Sequence, residues 1–265
     1  MITCQLIGGL GNQLFQIATT LALAWENQDL AVFDLNGHHQ LSQGNKAIDY
    51  KTTIYRNLID QSQPPSNWIF KEQGFGYQPI VYQSGMKLIG FFQSEKYFIK
   101  YRQKLLDILT PKSQQIEELK SKYEFILKRP NCAIHVRRGD YLNRPQYNPI
   151  CSLEYYSSAI ELFDRNTTFL VFSDDIDWCK QRFNSQHCGS TMQRFTFSEN
   201  NSEYIDLHLM SMCQHQIIAN STFSWWGSWL NQNPHKRIIA PKTWFGSALQ
   251  HLKTDDIYTK SMLKI

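Results

Sequence analysis

From residue 132 to residue 240 the chain repeats one pattern, a short apolar run followed by a segment with helical spacing, and this constrains the fold more than any other feature. Strands are expected at 132 to 136, 168 to 173, 216 to 219 and 237 to 240. Helices are expected at 153 to 163, 175 to 183, 202 to 212 and 224 to 231. Strands alternating with helices build a parallel sheet covered on both faces. Polar clusters fall just after three of the strands, and the carboxyl ends of such strands are where open α/β sheets bind ligands.

The first half opens in a related way: a strand at 3 to 7, the glycine turn Gly8-Gly9-Leu10-Gly11, a helix from 12 to 26 and a strand at 31 to 35. Residues 36 to 85 are loop-rich, with His38-His39 and Pro64-Pro65, and are expected to be irregular and to cover one sheet edge. A strand is expected at 88 to 92 and a helix at 94 to 109. Thr110-Pro111 reads as a helix start, with Thr as the cap and Pro in the first turn, where its missing N–H costs nothing. Arg129-Pro130-Asn131 breaks that helix and supplies the expected boundary between halves 1 to 129 and 130 to 265. A chain of 265 residues is long enough for two such halves.

With 42% hydrophobic residues and 19% charged, disorder, collagen and coiled coil are excluded. A net charge of +4, with no basic arm in either half, gives no support to a nucleic-acid partner. The first 25 residues carry no charge, yet their Asn, Gln, Thr and Gly content and the lack of a basic start argue against a signal peptide. No stretch approaches the roughly 20 apolar residues that span a bilayer; a peripheral membrane association stays open. Six scattered cysteines without a CxxC pair (Cys4, Cys132, Cys151, Cys179, Cys188 and Cys213) suit reduced thiols in a cytoplasmic compartment.

The first polar cluster is His135-Val136-Arg137-Arg138-Gly139-Asp140. Adjacent residues at a strand end point in different directions, so one arginine can face a ligand while the other is tied to an acid of the scaffold. An arginine fork suits a phosphate because it donates two parallel charge-assisted bonds; the plainer alternative is a surface ion pair. The second cluster, Ser173-Asp174-Asp175, can bond a ribose, a metal ion or the arginine pair, and Ser173 or Asp174 can cap the next helix. The third, Asn220-Ser221-Thr222-Phe223-Ser224, opens a helix carrying Trp225, Trp226 and Trp229. Free N–H groups and the helix dipole make such a start an anion site; the alternative is an ordinary cap over a tryptophan core. Together the three clusters describe a pocket for a phosphorylated nucleotide.

Two other readings carry less weight. Gly9-Leu10-Gly11-Asn12-Gln13-Leu14 approaches the dinucleotide fingerprint, with Asp34 where its ribose acid would fall, but Leu14 replaces the third glycine. His135 with Asp140, His208 with His215, and His38-His39 do not form a metal-ligand set of recognised spacing, and no GxSxG or Cys-His arrangement is present.

Four motifs, Gly8-Gly9-Leu10-Gly11-Asn12-Gln13-Leu14-Phe15-Gln16, His135-Val136-Arg137-Arg138-Gly139-Asp140-Tyr141, Phe172-Ser173-Asp174-Asp175 and Asn220-Ser221-Thr222-Phe223-Ser224-Trp225-Trp226-Gly227, strongly resemble those of the α-1,2-fucosyltransferases in order and spacing. The resemblance runs from Ile2 to about Phe245, and members without a membrane anchor are typically bacterial or viral. It implies a GT-B-like α/β fold, with two Rossmann-like halves facing a cleft and the donor on the C-terminal half. The implied reaction is inverting transfer of L-fucose from GDP-β-L-fucose to the 2-hydroxyl of a terminal galactose, with no cofactor and no metal.

By the same resemblance Arg138 and Arg137 face the diphosphate, and His135 and Asp206 hold guanine and ribose. Thr222 and Phe223 meet the β-phosphate, while Asn12, with Gly11 beside it, reaches the phosphate or the fucose from the N-terminal half. Ser173, Asp174, Asp175, Asn220, Ser221 and Ser224 complete the expected donor-site set. Asp140 is a candidate general base, or an orienting group for the arginines. Aside from the resemblance, aromatics of the loop-rich 50 to 85 stretch, such as Trp68, Phe75 and Tyr77, are candidates for stacking on sugar faces, with ordinary packing as the alternative. A different linkage or acceptor, and a catalytically silent nucleotide- or glycan-binding protein of the same fold, are the competing readings.

Overall fold

The computed structural model describes residues 1–37, 44–62, 66, 68–183 and 194–265. The expectations for His38-His39, Pro64-Pro65 and Cys188 lie outside these residues. The chain forms two compact units: residues 1–110 with 252–259, and residues 111–251 with 260–265.

In unit 1, β1 (Thr3–Cys4), β2 (Trp68–Lys71) and β3 (Met86–Ile89) form a parallel sheet in the order β1-β3-β2. α1 (Leu10–Glu26) follows β1 and buries most of its surface, including Gln13, Gln16, Thr19 and Thr20. The absence of charge in this segment therefore reflects burial in a protein core. Its glutamines pair internally. Gln16 accepts from the Ile7 N–H at 2.9 Å, and Gln13 accepts from the Tyr55 hydroxyl at 2.9 Å and donates to the Gly8 carbonyl, also at 2.9 Å. Gly8 has φ +81°, and a Cβ there would stand 2.6 Å from Asn12 Nδ2, so only glycine fits the turn.

Several expectations for this unit shift. The strand read at 31 to 35 is reduced to bridges of Ile2 with Ala31 and Phe33 with Asp60. The strand expected at 88 to 92 is β3, which ends at Ile89 because Gly90 and Phe92, the latter at φ +52°, turn the chain away. Residues 94 to 109 begin as two 3-10 turns and become α-helical only in α2 (Arg102–Leu109). β2 arises inside the stretch read as irregular.

In unit 2, α3 (Ser113–Lys122) and α4 (Glu124–Leu127) precede β4 (Asn131–Val136). Then come α5 (Leu153–Glu161), β5 (Thr168–Ser173), α6 (Ile176–Arg182), β6 (Phe195–Phe197), α7 (Glu203–Met212), β7 (His215–Ile217), α8 (Thr222–Leu230), β8 (Ile238–Ala240) and β9 (Met262–Lys264). The sheet is parallel throughout, in the order β6-β5-β4-β7-β8-β9. Counted within the sheet this is 3-2-1-4-5-6, the doubly wound order, whose switch point lies between β4 and β7. One face packs α5 and α6 through Tyr156, Ile160 and Cys179; the other packs α3, α4 and α7 through Leu119, Tyr123, Ile126 and Leu209.

That second face moves the boundary. α3 and α4 belong with unit 2 because Leu119, Tyr123 and Ile126 share a core with Ala133 and Leu170, so the division falls at Thr110 and Pro111 instead of at 129 and 130. Thr110 closes α2, and α3 starts at Ser113 without a side-chain cap, so Thr110-Pro111 separates units and does not cap a helix. Residues 252–259 return to unit 1, where Asp256 accepts from the Tyr77 N–H at 2.8 Å.

Candidate active site

β4 and β7 diverge at the switch point, and the polar clusters gather there. Arg137 and Arg138 leave β4 in different directions, as the strand-end argument requires. Both terminal nitrogens of Arg137 are engaged, Nη2 with Asp140 at 3.0 Å and Nη1 with Asp174 at 3.1 Å. Arg138 is held at its inner edge: Nε donates to Asp175 Oδ2 at 2.9 Å, and the guanidinium carbon sits 4.0 Å from the centroid of the Trp178 ring. Among the described residues nothing engages the two Nη atoms of Arg138. Arg138 thus presents a preformed fork, whereas Arg137 is built into the scaffold.

The acids of the second cluster provide that scaffold. Asp174 Oδ1 accepts from the Arg138 backbone N–H at 2.9 Å. Asp175 caps α6 by accepting from the Trp178 N–H at 3.3 Å, and Ser173 accepts from the Asp175 N–H at 2.9 Å. The cap is therefore Asp175, neither Ser173 nor Asp174, and all three side chains are occupied in shaping the turn that places Arg138.

The third cluster divides in two. Asn220 is 3% exposed and fully committed: its amide donates to the carbonyls of Pro149 (2.9 Å) and Trp244 (3.0 Å), and its Oδ1 lies 3.5 Å from Cys151 Sγ. Ser224 is buried, with its hydroxyl donated to the Ser221 carbonyl at 3.2 Å. Neither side chain is available to a ligand, because each is buried and already bonded to backbone carbonyls. Ser221 stands at the cap of α8 without bonding to it, so the first-turn N–H groups at Thr222 and Phe223 are left uncapped by any side chain. Trp225, Trp226 and Trp229 are core, as the plainer alternative held.

Two links join the strand ends. The Tyr141 hydroxyl donates to the Asn220 carbonyl at 3.0 Å, and its ring lies 5.5 Å from the Arg137 guanidinium. The His135 ring is 5.4 Å from that of Phe223. His135 is 5% exposed and its Nδ1 has no partner among the described residues. Burial, reinforced by the Arg137 charge, pushes its pKa down to about 3, so the imidazole is neutral. At the carboxyl end of β6, Asp206 accepts from Ser198 Oγ at 2.7 Å and Asn201 Nδ2 at 3.2 Å; burial pushes its carboxyl above the ordinary value against these bonds.

Gly11 and Asn12 belong to unit 1, with Gly11 buried in the first turn of α1. Tyr141 and Trp178 orient the two arginines; the sequence reading gave neither a role, although Tyr141 closes the motif that begins at His135. Their only signal was an aromatic close behind each charged cluster. No helix among the described residues is long and apolar enough to cross a membrane.

Comparison with known proteins identifies the family and the fold. The sequence profile of glycosyl transferase family 11 matches residues 1–265. An alpha-1,2-colitosyltransferase of Escherichia coli is 31% identical over 271 residues, covering 92% of each chain. The galactoside 2-alpha-L-fucosyltransferase SEC1 of Bos taurus is 26% identical over 242 residues, covering 84% of this chain and 62% of the relative. Among solved structures, POFUT1 in complex with GDP matches with a TM-score of 0.52 at 12% identity, covering 90% of this chain and 97% of that one. The NodZ alpha-1,6-fucosyltransferase soaked with GDP-fucose matches with a TM-score of 0.51 at 11% identity, covering 86% and 92%. The fold is of the GT-B type, and the chain belongs to glycosyl transferase family 11.

Proposed function

We propose that the protein is an inverting transferase that moves L-fucose from GDP-β-L-fucose to the 2-hydroxyl of a terminal galactose, without a metal. The observation that carries this is Arg138, locked by Asp175 and Trp178 with its outer fork open, at the same switch point as the uncapped start of α8. Departure of GDP builds negative charge on the β-phosphate while the sugar becomes cation-like. Donors fixed in advance stabilise that charge most, since they need no reorganisation during the reaction. Arg138 and the N–H groups of Thr222 and Phe223 are those donors. Arg137, Asp140, Asp174, Asp175 and Ser173 hold the frame, and neutral His135 with the half-buried carboxyl group of Asp206 supplies polar groups suited to guanine and ribose. Asp140, already engaged by Arg137, orients that arginine. A strongly dissociative transition state needs little help from a base.

Incubation with GDP-fucose and a β-galactoside tests the reading, with release of GDP above buffer hydrolysis expected. Tight GDP binding with no release would make the protein a binding module instead. One observation favours a variant donor: the colitosyltransferase relative aligns over 92% of both chains. Colitose is the 3-deoxy counterpart of L-fucose, so kcat/KM for GDP-colitose against GDP-fucose distinguishes the two donors.

A further inference from the structure

At the carboxyl edge of the unit 1 sheet three strand ends meet. β1 leads into the glycine turn, β3 leads into residues 90–93, and β2 is followed by Glu72. Gln16 staples the first two, accepting from the Ile7 N–H at 2.9 Å and donating to the Gly90 carbonyl at 3.1 Å. Glu72 Oε2 accepts from the N–H groups of Phe91 at 2.8 Å and Phe92 at 3.0 Å. Phe92 has φ +52°, in the left-handed region that a bulky residue enters only at a cost, and it is fully buried. Strain of this kind persists where the surroundings over-determine it, and it clusters at functional sites. Here it aims Gln93, whose Nε2 donates to Asn12 Oδ1 at 3.0 Å.

That bond sets the polarity of both amides. Asn12 is left with Nδ2, a donor, and Gln93 with Oε1, an acceptor. Among the described residues neither atom has a hydrogen-bond partner, and neither is sealed from solvent. A donor beside an acceptor complements a hydroxyl, which both gives and takes a hydrogen bond. A phosphate oxygen only accepts, so Gln93 Oε1 would repel it. We propose that Asn12 and Gln93 form a sugar-hydroxyl subsite on unit 1, with Glu72 as the positioning residue that sets Gln93. The subsite rests on the glycosyl-transfer reading for its ligand, and it assigns Asn12 to a sugar and not to the diphosphate. The hydroxyl comes from the fucosyl group of the donor or from the galactoside acceptor.

Gln93→Met keeps the length of the side chain and removes both polar atoms. Calorimetric Kd values for GDP and for GDP-fucose, and KM for lactose, separate the sources. The Kd for GDP is expected to stay put, while either the GDP-fucose Kd or the lactose KM rises about 2- to 12-fold, as loss of one neutral hydrogen bond implies. A rise in the first marks the donor sugar and a rise in the second the acceptor. Glu72→Gln, which retains an acceptor oxygen, should keep most of the sugar affinity that Glu72→Ala loses. Unchanged sugar affinity in Gln93→Met with GDP binding intact overturns the subsite. Should that variant unfold by circular dichroism, Gln93→Glu, which sets a carboxylate against Asn12 Oδ1, is measured the same way with the same criteria. A wild-type protein that binds no GDP overturns the functional reading instead. Saturation transfer to lactose or L-fucose, seen with wild type and lost in the variant, then still supports the subsite, and its absence from both overturns it.

Discussion

Arg138→Lys separates a positioned fork from a positive charge. The arginine does two things at once: Nε holds Asp175 at 2.9 Å while the outer Nη pair stays open, and Trp178 keeps the guanidinium plane in place. A lysine has one ammonium, which serves either Asp175 or the ligand, and it lacks the planar fork. Loss of one such transition-state donor costs about 2.7 to 4 kcal/mol, or on the order of 100- to 1,000-fold in kcat. The fold should barely notice, since the Arg138–Asp175 pair is partly exposed and pairs of this kind contribute about 0 to 1 kcal/mol. The assay is kcat at saturating GDP-fucose and lactose, alongside denaturant unfolding, for wild type, Arg138→Lys and Arg138→Ala. The two variants should be nearly equal in their loss and close to wild type in stability. A Lys variant turning over at close to the wild-type rate would refute the fork argument.

Three further outcomes follow from the same site. Asn220→Ala removes the two hydrogen bonds that this buried amide donates to the carbonyls of Pro149 and Trp244, and should destabilise unit 2 by about 1 to 3 kcal/mol, read as a lower denaturation midpoint. Asp140→Asn keeps an oxygen facing Arg137, so it should retain substantial activity with an unaltered acid limb of the pH-rate profile; abolition of turnover would restore the base role. His135, held near 3 when folded against 6.5 ordinarily, binds a proton in the unfolded chain first, so stability falls as pH drops below 6.5. About 2 kcal/mol should be lost by pH 5, a slope that His135→Gln removes.

The doubly wound half was legible because its strands announce themselves. Residues 169 to 172 form an apolar run between Thr168 and Ser173, and the helices between carry clear spacing. What the sequence hid were elements too short to show a period, such as β6 and β9 at three residues each, and β2 inside a polar stretch. The boundary was misplaced because a proline break looks the same whether or not the helix before it packs on the next sheet. At the site, residue types were readable and their division of labour was not. Nothing in Arg137-Arg138 says which arginine is tied, since that depends on where Asp140, Asp174 and Asp175 fall in space. Asn220 looked like a ligand group because a buried amide holding two loops and an exposed one facing a phosphate have the same one-letter code. Gln93 gave no signal at all: its role follows from a left-handed residue beside it, which composition cannot reveal.

The central claim is metal-independent transfer of fucose to a galactose 2-hydroxyl. Incubation with GDP-fucose and lactose in excess EDTA, followed by two-dimensional NMR of the trisaccharide, tests it most directly. The account predicts undiminished GDP release and a cross-peak from fucose H1 to galactose C2. Loss of turnover on chelation, or a linkage to galactose C3, would contradict it.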